Sequence, residues 1–297
     1  MKEYIPQLAG PVAAELGEGP IWDAATERLI WIDIIGQTVH FADAAGRTYA
    51  TVTLDEQPGT AMPAADGTVL VATATGFALI ERDLSVRRLS EDLAGYPDHR
   101  FNDGKVDSAG RVVVGTLSLS GERDASALYR WSAQGGLEVI RRPVSLSNGL
   151  GWSPDGRTFY HADTPTGRVD AFDYDPGSGA LSNPRTFITV AAEAGQPDGL
   201  CVDDDGGVWV ALWGGGMVLR FDQDGQLDAR VPFDVPNITS CGFGGTDRRT
   251  LFVTTASVDM DDELLLRNPE AGGLFRVNVG RSGPAAEPWE VPRAYLA

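Results

Sequence analysis

Cysteine and histidine are scarce in this chain, which holds two and three of them in 297 residues. Two thiols, Cys201 and Cys241, build no disulfide framework and no metal knuckle; both lie in or beside apolar strands and read as buried, inert groups. His40, His99 and His161 are widely scattered and no His-Glu-x-x-His occurs, so a histidine-built zinc site has no support. A Gly-x-Ser-x-Gly elbow and a Gly-x-x-x-x-Gly-Lys phosphate loop are also missing, which removes the serine-hydrolase and P-loop chemistries. Gly214-Gly215-Gly216 is a lone run and reads as a strand turn. Positive charge is in deficit: 24 Lys and Arg stand against 42 Asp and Glu, for a net charge of −18. Such a chain repels a phosphate backbone and an anionic bilayer, so neither nucleic acid nor membrane is an expected partner. No apolar run approaches the roughly 20 residues of a spanning helix. The segment Met1-Lys2-Glu3-Tyr4-Ile5-Pro6 lacks the basic and apolar regions of a signal peptide, and a cytoplasmic location is the expectation.

Against these absences stand 36 Gly and 18 Pro, the punctuation of many short strands. A unit recurs along the chain: a small or polar residue and Gly, an apolar strand, an Asp/Gly turn, and a β-branched strand. Its marker glycines are Gly19, Gly59, Gly104, Gly149, Gly199 and Gly242, so the period is 40 to 50 residues. Runs such as Val69-Leu70-Val71-Ala72, Val112-Val113-Val114 and Val208-Trp209-Val210-Ala211-Leu212 follow the turns. Six repeats of this length with several short strands each predict an all-β, six-bladed β-propeller with four-stranded antiparallel blades. One domain over 1–297 is expected. The sixth repeat is one strand short, so a strand within Ile5 to Ala14 is expected to join the blade holding Leu274 to Val279 and close the ring.

The residues just before the marker glycines are Glu18, Pro58, Asp103, Asn148, Asp198 and Cys241. Equivalent positions in a propeller lie around the central channel, so Glu18, Asn148 and Asp198 are expected to converge at one mouth. Two carboxylates and an amide carbonyl are hard oxygen donors, and such a cluster repels itself unless a cation fills it. Three protein ligands would leave coordination positions open, as catalytic sites do. Taken singly, an Asp or Asn before Gly is a turn residue; the signal is the shared register.

The segments Leu16-Gly17-Glu18-Gly19-Pro20-Ile21-Trp22, Arg100-Phe101-Asn102-Asp103-Gly104-Lys105-Val106-Asp107, Ser147-Asn148-Gly149-Leu150, Pro197-Asp198-Gly199-Leu200 and Thr239-Ser240-Cys241-Gly242-Phe243-Gly244-Gly245 resemble, in this order, the gluconolactonase, regucalcin and senescence-marker-protein family. Pro269-Glu270-Ala271-Gly272-Gly273-Leu274-Phe275 is similar too. The resemblance implies a propeller that hydrolyses sugar lactones with one divalent cation on Glu18, Asn148 and Asp198. It places substrate contacts on Arg100 and Asn102. Ca²⁺ is the first expectation for the cation, with Zn²⁺, Mg²⁺ and Mn²⁺ as alternatives. Some relatives carry a substrate-binding acid after the strand that ends near Thr116; this chain has Ser120 there, with Glu122 two residues on, so no relative's sugar preference transfers. The expected reaction is metal-assisted opening of an aldonolactone to the aldonic acid, with Asp198 as ligand and the attacking water activated either by the metal or by Asp198 as general base, in a monomer or weak homo-oligomer. The rivals are another metal-dependent esterase or phosphotriesterase on the same fold, and a non-catalytic binder of calcium or a sugar acid.

Overall fold

Alternation within each apolar run dictates where its side chains go. In a strand, successive side chains point to opposite faces; here both faces are covered, because every sheet stands between two others. Val69 and Val71 pack toward the preceding sheet with Ile30, Ile32 and Val39, while Leu70 and Ala72 pack toward the following one with Phe101, Val112 and Val114. The same split places Val208, Val210 and Leu212 against Tyr160 and Val169, and Trp209 and Ala211 against Leu251 and Val253. That is why these strands are continuously hydrophobic rather than alternating apolar with polar. Six apolar clusters result, each filling the gap between neighbouring sheets.

The computed structural model describes residues 1–93 and 95–295. Each repeat forms an antiparallel sheet, and the six sheets form the ring of a six-bladed β-propeller. Blade 1 runs from Gly17 to Thr53, blade 2 from Pro58 to Ser90, and blade 3 from His99 to Val144. Blade 4 runs from Ser147 to Thr189, blade 5 from Gln196 to Pro232, and blade 6 from Ile238 to Asn278. The innermost strands are Gly17–Asp23, Pro58–Pro63, His99–Val106, Ser147–Trp152, Gln196–Val202 and Ile238–Gly244. The predicted closure is present: Gln7–Ala13 pairs antiparallel with Gly273–Asn278 and supplies the fourth strand of blade 6. One addition was not foreseen. Lys2–Glu3 pairs in parallel with the outer strand of blade 5, which therefore has five strands.

At Gly59, Gly149, Gly199 and Gly242 neighbouring inner strands nearly touch. A Cβ on Gly149 would meet the Asp198 carbonyl oxygen at 2.5 Å, and one on Gly242 would meet that of Pro20 at 2.0 Å. At these four positions nothing larger fits between the blades, whereas Gly19 has open space around it and a φ of +54° that favours glycine. At the other end of each inner strand the Asp turns are pinned by their own carboxylates. Asp107 accepts from the Ala109 and Arg111 amides at 2.9 Å each, and Asp203 accepts from the Asp205 and Gly207 amides at 3.1 and 2.8 Å. Asp203 is fully buried and also holds Trp209 Nε1 at 2.9 Å and Arg220 Nε at 2.6 Å, which satisfies its charge inside blade 5.

The two ring faces differ. On the face where the inner strands begin stand the loop 119–125, the short helical turns Thr164–Thr166 and Ala192–Ala194, and the helix Asp262–Arg267. On the opposite face the chain after residue 279 runs across the ring. Gly283 N bonds Arg248 O, and Trp289 N bonds Pro63 O on blade 2. No helix among the described residues is long and apolar enough to cross a membrane.

Candidate active site

Every inner strand carries a break in register, at or beside its marker glycine in blades 1 to 5 and at Thr239, ahead of Gly242, in blade 6. The breaks fall between Glu18 and Ile21, Phe101 and Gly104, Ser147 and Leu150, and Pro197 and Leu200, with matching ones in blades 2 and 6. A bulge bends its strand and re-aims a side chain. In this ring Asn102, Asp103 and Asn148 fall within the bulged stretches, Glu18 stands at the edge of one, and Asp198 lies inside its own. Asn102, Asp103, Asn148 and Asp198 are all buried, and Glu18 is half-buried. The structure thus brings together residues from blades 1, 3, 4 and 5.

Their hydrogen bonds form one line. Arg100 Nη1 donates to Asn102 Oδ1 at 2.8 Å and to the Phe101 carbonyl at 2.9 Å. Asn102 Nδ2 donates to Asn148 Oδ1 at 2.8 Å and to the Ser147 carbonyl at 2.9 Å. Asn148 Nδ2 donates to Thr164 Oγ1 at 2.8 Å, and that hydroxyl donates to the Pro197 carbonyl at 2.8 Å, next to Asp198. The amide of Asn148 is therefore fixed with its oxygen toward Asn102, and a carbonyl oxygen keeps a second lone pair for another partner.

The acids oppose one another. Burial first, then the Asp103 charge, pushes the Glu18 carboxyl up to about 8, against the Gly19 amide and Arg100. Burial, then Glu18 and Asp103, raises Asp198 well above the usual carboxylate range. Burial raises Asp103 as well, although Lys105 pulls the other way. Burial brings Arg100 down to about 10, offset by Glu18. Asp198 Oδ1 is buried and has no hydrogen-bond partner. A buried, unpartnered carboxylate oxygen beside two more acids is costly in any state without a compensating positive charge. Among the described residues no three His, Cys, Asp or Glu side chains are arranged to hold a metal by themselves. An oxygen-ligated cation on Glu18 and Asp198 would thus draw on a donor of another kind, and the Asn148 carbonyl fits.

Two groups were not picked out from the sequence. Asp103 occupies the shared register, and its charge acts on both Glu18 and Asp198, which puts it in the cluster. The second group is a pair of props, Asp33 and Asp163, each fifteen residues after a site residue, Glu18 and Asn148. Asp33 accepts from the Glu15 and Leu16 amides at 2.9 and 3.0 Å and from Gly36 at 3.0 Å. Asp163 accepts from the Ser145 and Leu146 amides at 3.2 and 3.1 Å. Each carboxylate thereby fixes the chain entering an inner strand just before its site residue, and the common offset is the signal that would have revealed them. Asp163→Ala is expected to weaken divalent-cation affinity about 10- to 100-fold, read by calorimetric titration of chelated protein. Unchanged affinity would show that Asp163 does not position Asn148.

Ser120 and Glu122 are exposed in the loop beside Arg100; Ser120 Oγ lies 2.9 Å from Ser118 Oγ. Cys201 and Cys241 are buried and free, their sulfurs 3.6 Å apart across blades 5 and 6.

Residues 16–257 match the family model described as SMP-30/Gluconolactonase/LRE-like region. The chain belongs to that family. Within the SMP-30/gluconolactonase/LRE-like family, it is 38% identical over 266 residues to regucalcin of Danio rerio, covering 89% of this chain and 90% of the relative. It is 34% identical over 279 residues to a putative sugar lactone lactonase, YvrE, of Bacillus subtilis (strain 168), covering 93% and 95%. Among solved structures, the calcium-binding protein regucalcin of Agrobacterium tumefaciens superposes with a TM-score of 0.92 at 27% identity, over 98% of this chain and all of that one. A luciferin-regenerating enzyme superposes with a TM-score of 0.88 at 27% identity, over 96% of this chain and all of that one.

Proposed function

We propose that this chain is a divalent-cation-dependent hydrolase that opens a sugar lactone to its aldonic acid. The observation that carries the reading is the unpartnered, buried Asp198 Oδ1 between Glu18 and Asn148. The two relatives named as regucalcin and as a putative sugar lactone lactonase support it.

Glu18, Asn148 and Asp198 would hold the cation through oxygen, with Ca²⁺ first and Zn²⁺, Mg²⁺ or Mn²⁺ as alternatives. When bound, a cation of this kind polarises a carbonyl and makes water more acidic. Arg100, half-buried with further N–H groups beyond those it spends on Phe101 and Asn102, would orient a sugar hydroxyl or the product carboxylate. Asn102 would hold both Arg100 and Asn148 in place and present its remaining amide capacity to the sugar. Water adds to the lactone carbonyl carbon, the ring C–O bond breaks, and the freed alkoxide takes a proton. Asp198 would keep its carboxylate ionised beside the cation and could take the proton lost by that water, which the cation itself makes more acidic. The net product is a hydroxy acid that releases one proton at neutral pH.

Proton release from a panel of aldonolactones, corrected for spontaneous opening, tests this with chelated protein before and after each cation is restored. Turnover that needs the cation supports the reading. Cation binding without turnover on any lactone would overturn it and favour a calcium- or sugar-acid-binding role.

A further inference from the structure

The channel has a second mouth, on the face away from Glu18, Asn148 and Asp198, and a pocket of about 310 Å³ fills it. Its walls are the far ends of five inner strands: Ile21 and Trp22 from blade 1, Lys105 from blade 3, Trp152 from blade 4, Val202 from blade 5 and Phe243 from blade 6. Its roof is the segment Pro284 to Glu287. That segment is anchored at both ends. Gly283 bonds Arg248 and packs on Phe243, and Trp289 bonds Pro63 and packs on Trp131. Between these anchors, residues 284–288 make no backbone hydrogen bond among the described residues, so the roof can lift without breaking a ladder.

One cation stands among the mainly apolar walls of this pocket, whose rim also carries Ser108, Ser153, Asp155 and Glu287. Lys105 Nζ donates to the carbonyls of Leu150 and Leu200 at 2.8 Å each, reaching across blades 4 and 5. An ammonium has three N–H groups, so one remains. No carboxylate among the described residues lies within ion-pair distance of it. Trp152 also lines the pocket, and its buried indole N–H has no hydrogen-bond partner. An ammonium with an unspent N–H among aromatic walls calls for an acceptor carried on a flat apolar body. Asp155 and Glu287 stand exposed at the rim, and they oppose any ligand bearing a second negative charge.

We propose that this pocket is a binding site for a small aromatic monocarboxylate, with the carboxylate on Lys105 and the ring between Trp22, Trp152 and Phe243. The pocket lies at the opposite mouth from Glu18, Asn148 and Asp198, although Lys105 also acts on Asp103, and the proposal does not depend on the lactonase reading.

Phenylacetate is the probe, titrated by calorimetry into the full-length protein, with the neutral isostere phenylacetamide alongside. Saturable one-to-one binding with a dissociation constant of about 1 mM or tighter is expected, and the amide binds at least tenfold more weakly. Lys105→Met is expected to weaken phenylacetate at least tenfold. Ala286→Trp, which fills the pocket from the unbonded roof, is expected to do the same. Asp198→Ala leaves the affinity within twofold. Absence of saturable binding, equal affinity for the amide, or full affinity in Ala286→Trp would each overturn the proposal. So would loss of binding in Asp198→Ala, which would put the ligand on the acid cluster. If Lys105→Met does not fold, the amide comparison and Ala286→Trp decide the matter alone.

Discussion

Asp198→Asn is expected to lower lactone turnover by about a thousandfold or more while making the chelated protein more stable. The two effects have one cause. Asp198 is buried, raised well above the usual carboxylate range, and left with an oxygen that bonds nothing. In the proposed roles, losing this carboxylate would remove a cation ligand and a proton acceptor together, each worth roughly 3–4 kcal/mol in sites of this type. In the chelated protein the same substitution relieves repulsion with Glu18 and Asp103. A gain of about 1–3 kcal/mol is expected there, the scale of an unsatisfied buried group. Kinetics on the preferred lactone and urea unfolding in chelator measure the two halves. Near-normal turnover in Asp198→Asn, or a chelated variant less stable than its parent, would refute the role given to this residue.

The second large effect is a stability that falls as pH rises when the cation is removed. Glu18 titrates near its ordinary 4.5 when unfolded and near 8 when folded. Between those values the folded chain keeps a proton that the unfolded chain has lost. Stability therefore declines with pH, by about 1.4 kcal/mol per unit for one such group. Asp198 and Asp103, raised by burial, act with the same sign. His161 acts the other way at lower pH. It is buried and held neutral by burial and by the guanidinium of Arg141, which donates to its Nδ1, so its folded pKa lies well below 6.5. The unfolded chain takes up a proton there as pH falls through 6.5, and acid destabilises the fold. The clean window is therefore pH 6.5 to 8, across which chelated protein is expected to lose at least about 2 kcal/mol in urea unfolding. A saturating divalent cation keeps the acids ionised, flattens this slope, and stabilises more at pH 8 than at pH 6.5. A chelated protein whose stability holds or rises across that window would contradict the mutual opposition of Glu18, Asp103 and Asp198.

Much of the architecture was legible in the sequence because each blade is built from contacts close along the chain. The Asp/Gly turns, the β-branched runs and the spaced glycines encode hairpins locally, and six copies leave a ring as the packing that covers both faces of every sheet. Even the closure could be read, since blade 6 lacked a strand and Gln7–Ala13 was the segment left to supply it. The register of Glu18, Asn148 and Asp198 was legible for the same reason: equal places in equal repeats face one axis. What the sequence did not display is whatever depends on the distance between repeats. The inner-strand bulges, the line from Arg100 through Asn102, Asn148 and Thr164 to Pro197, and the recruitment of Asp103 exist only once blades 1, 3, 4 and 5 stand side by side. So does the pocket around Lys105, whose roof comes from residues more than 170 positions later in the chain. Hairpins are short-range and carry their own signals, whereas a burial strong enough to raise Glu18 or leave Asp198 unpartnered is a property of the closed ring.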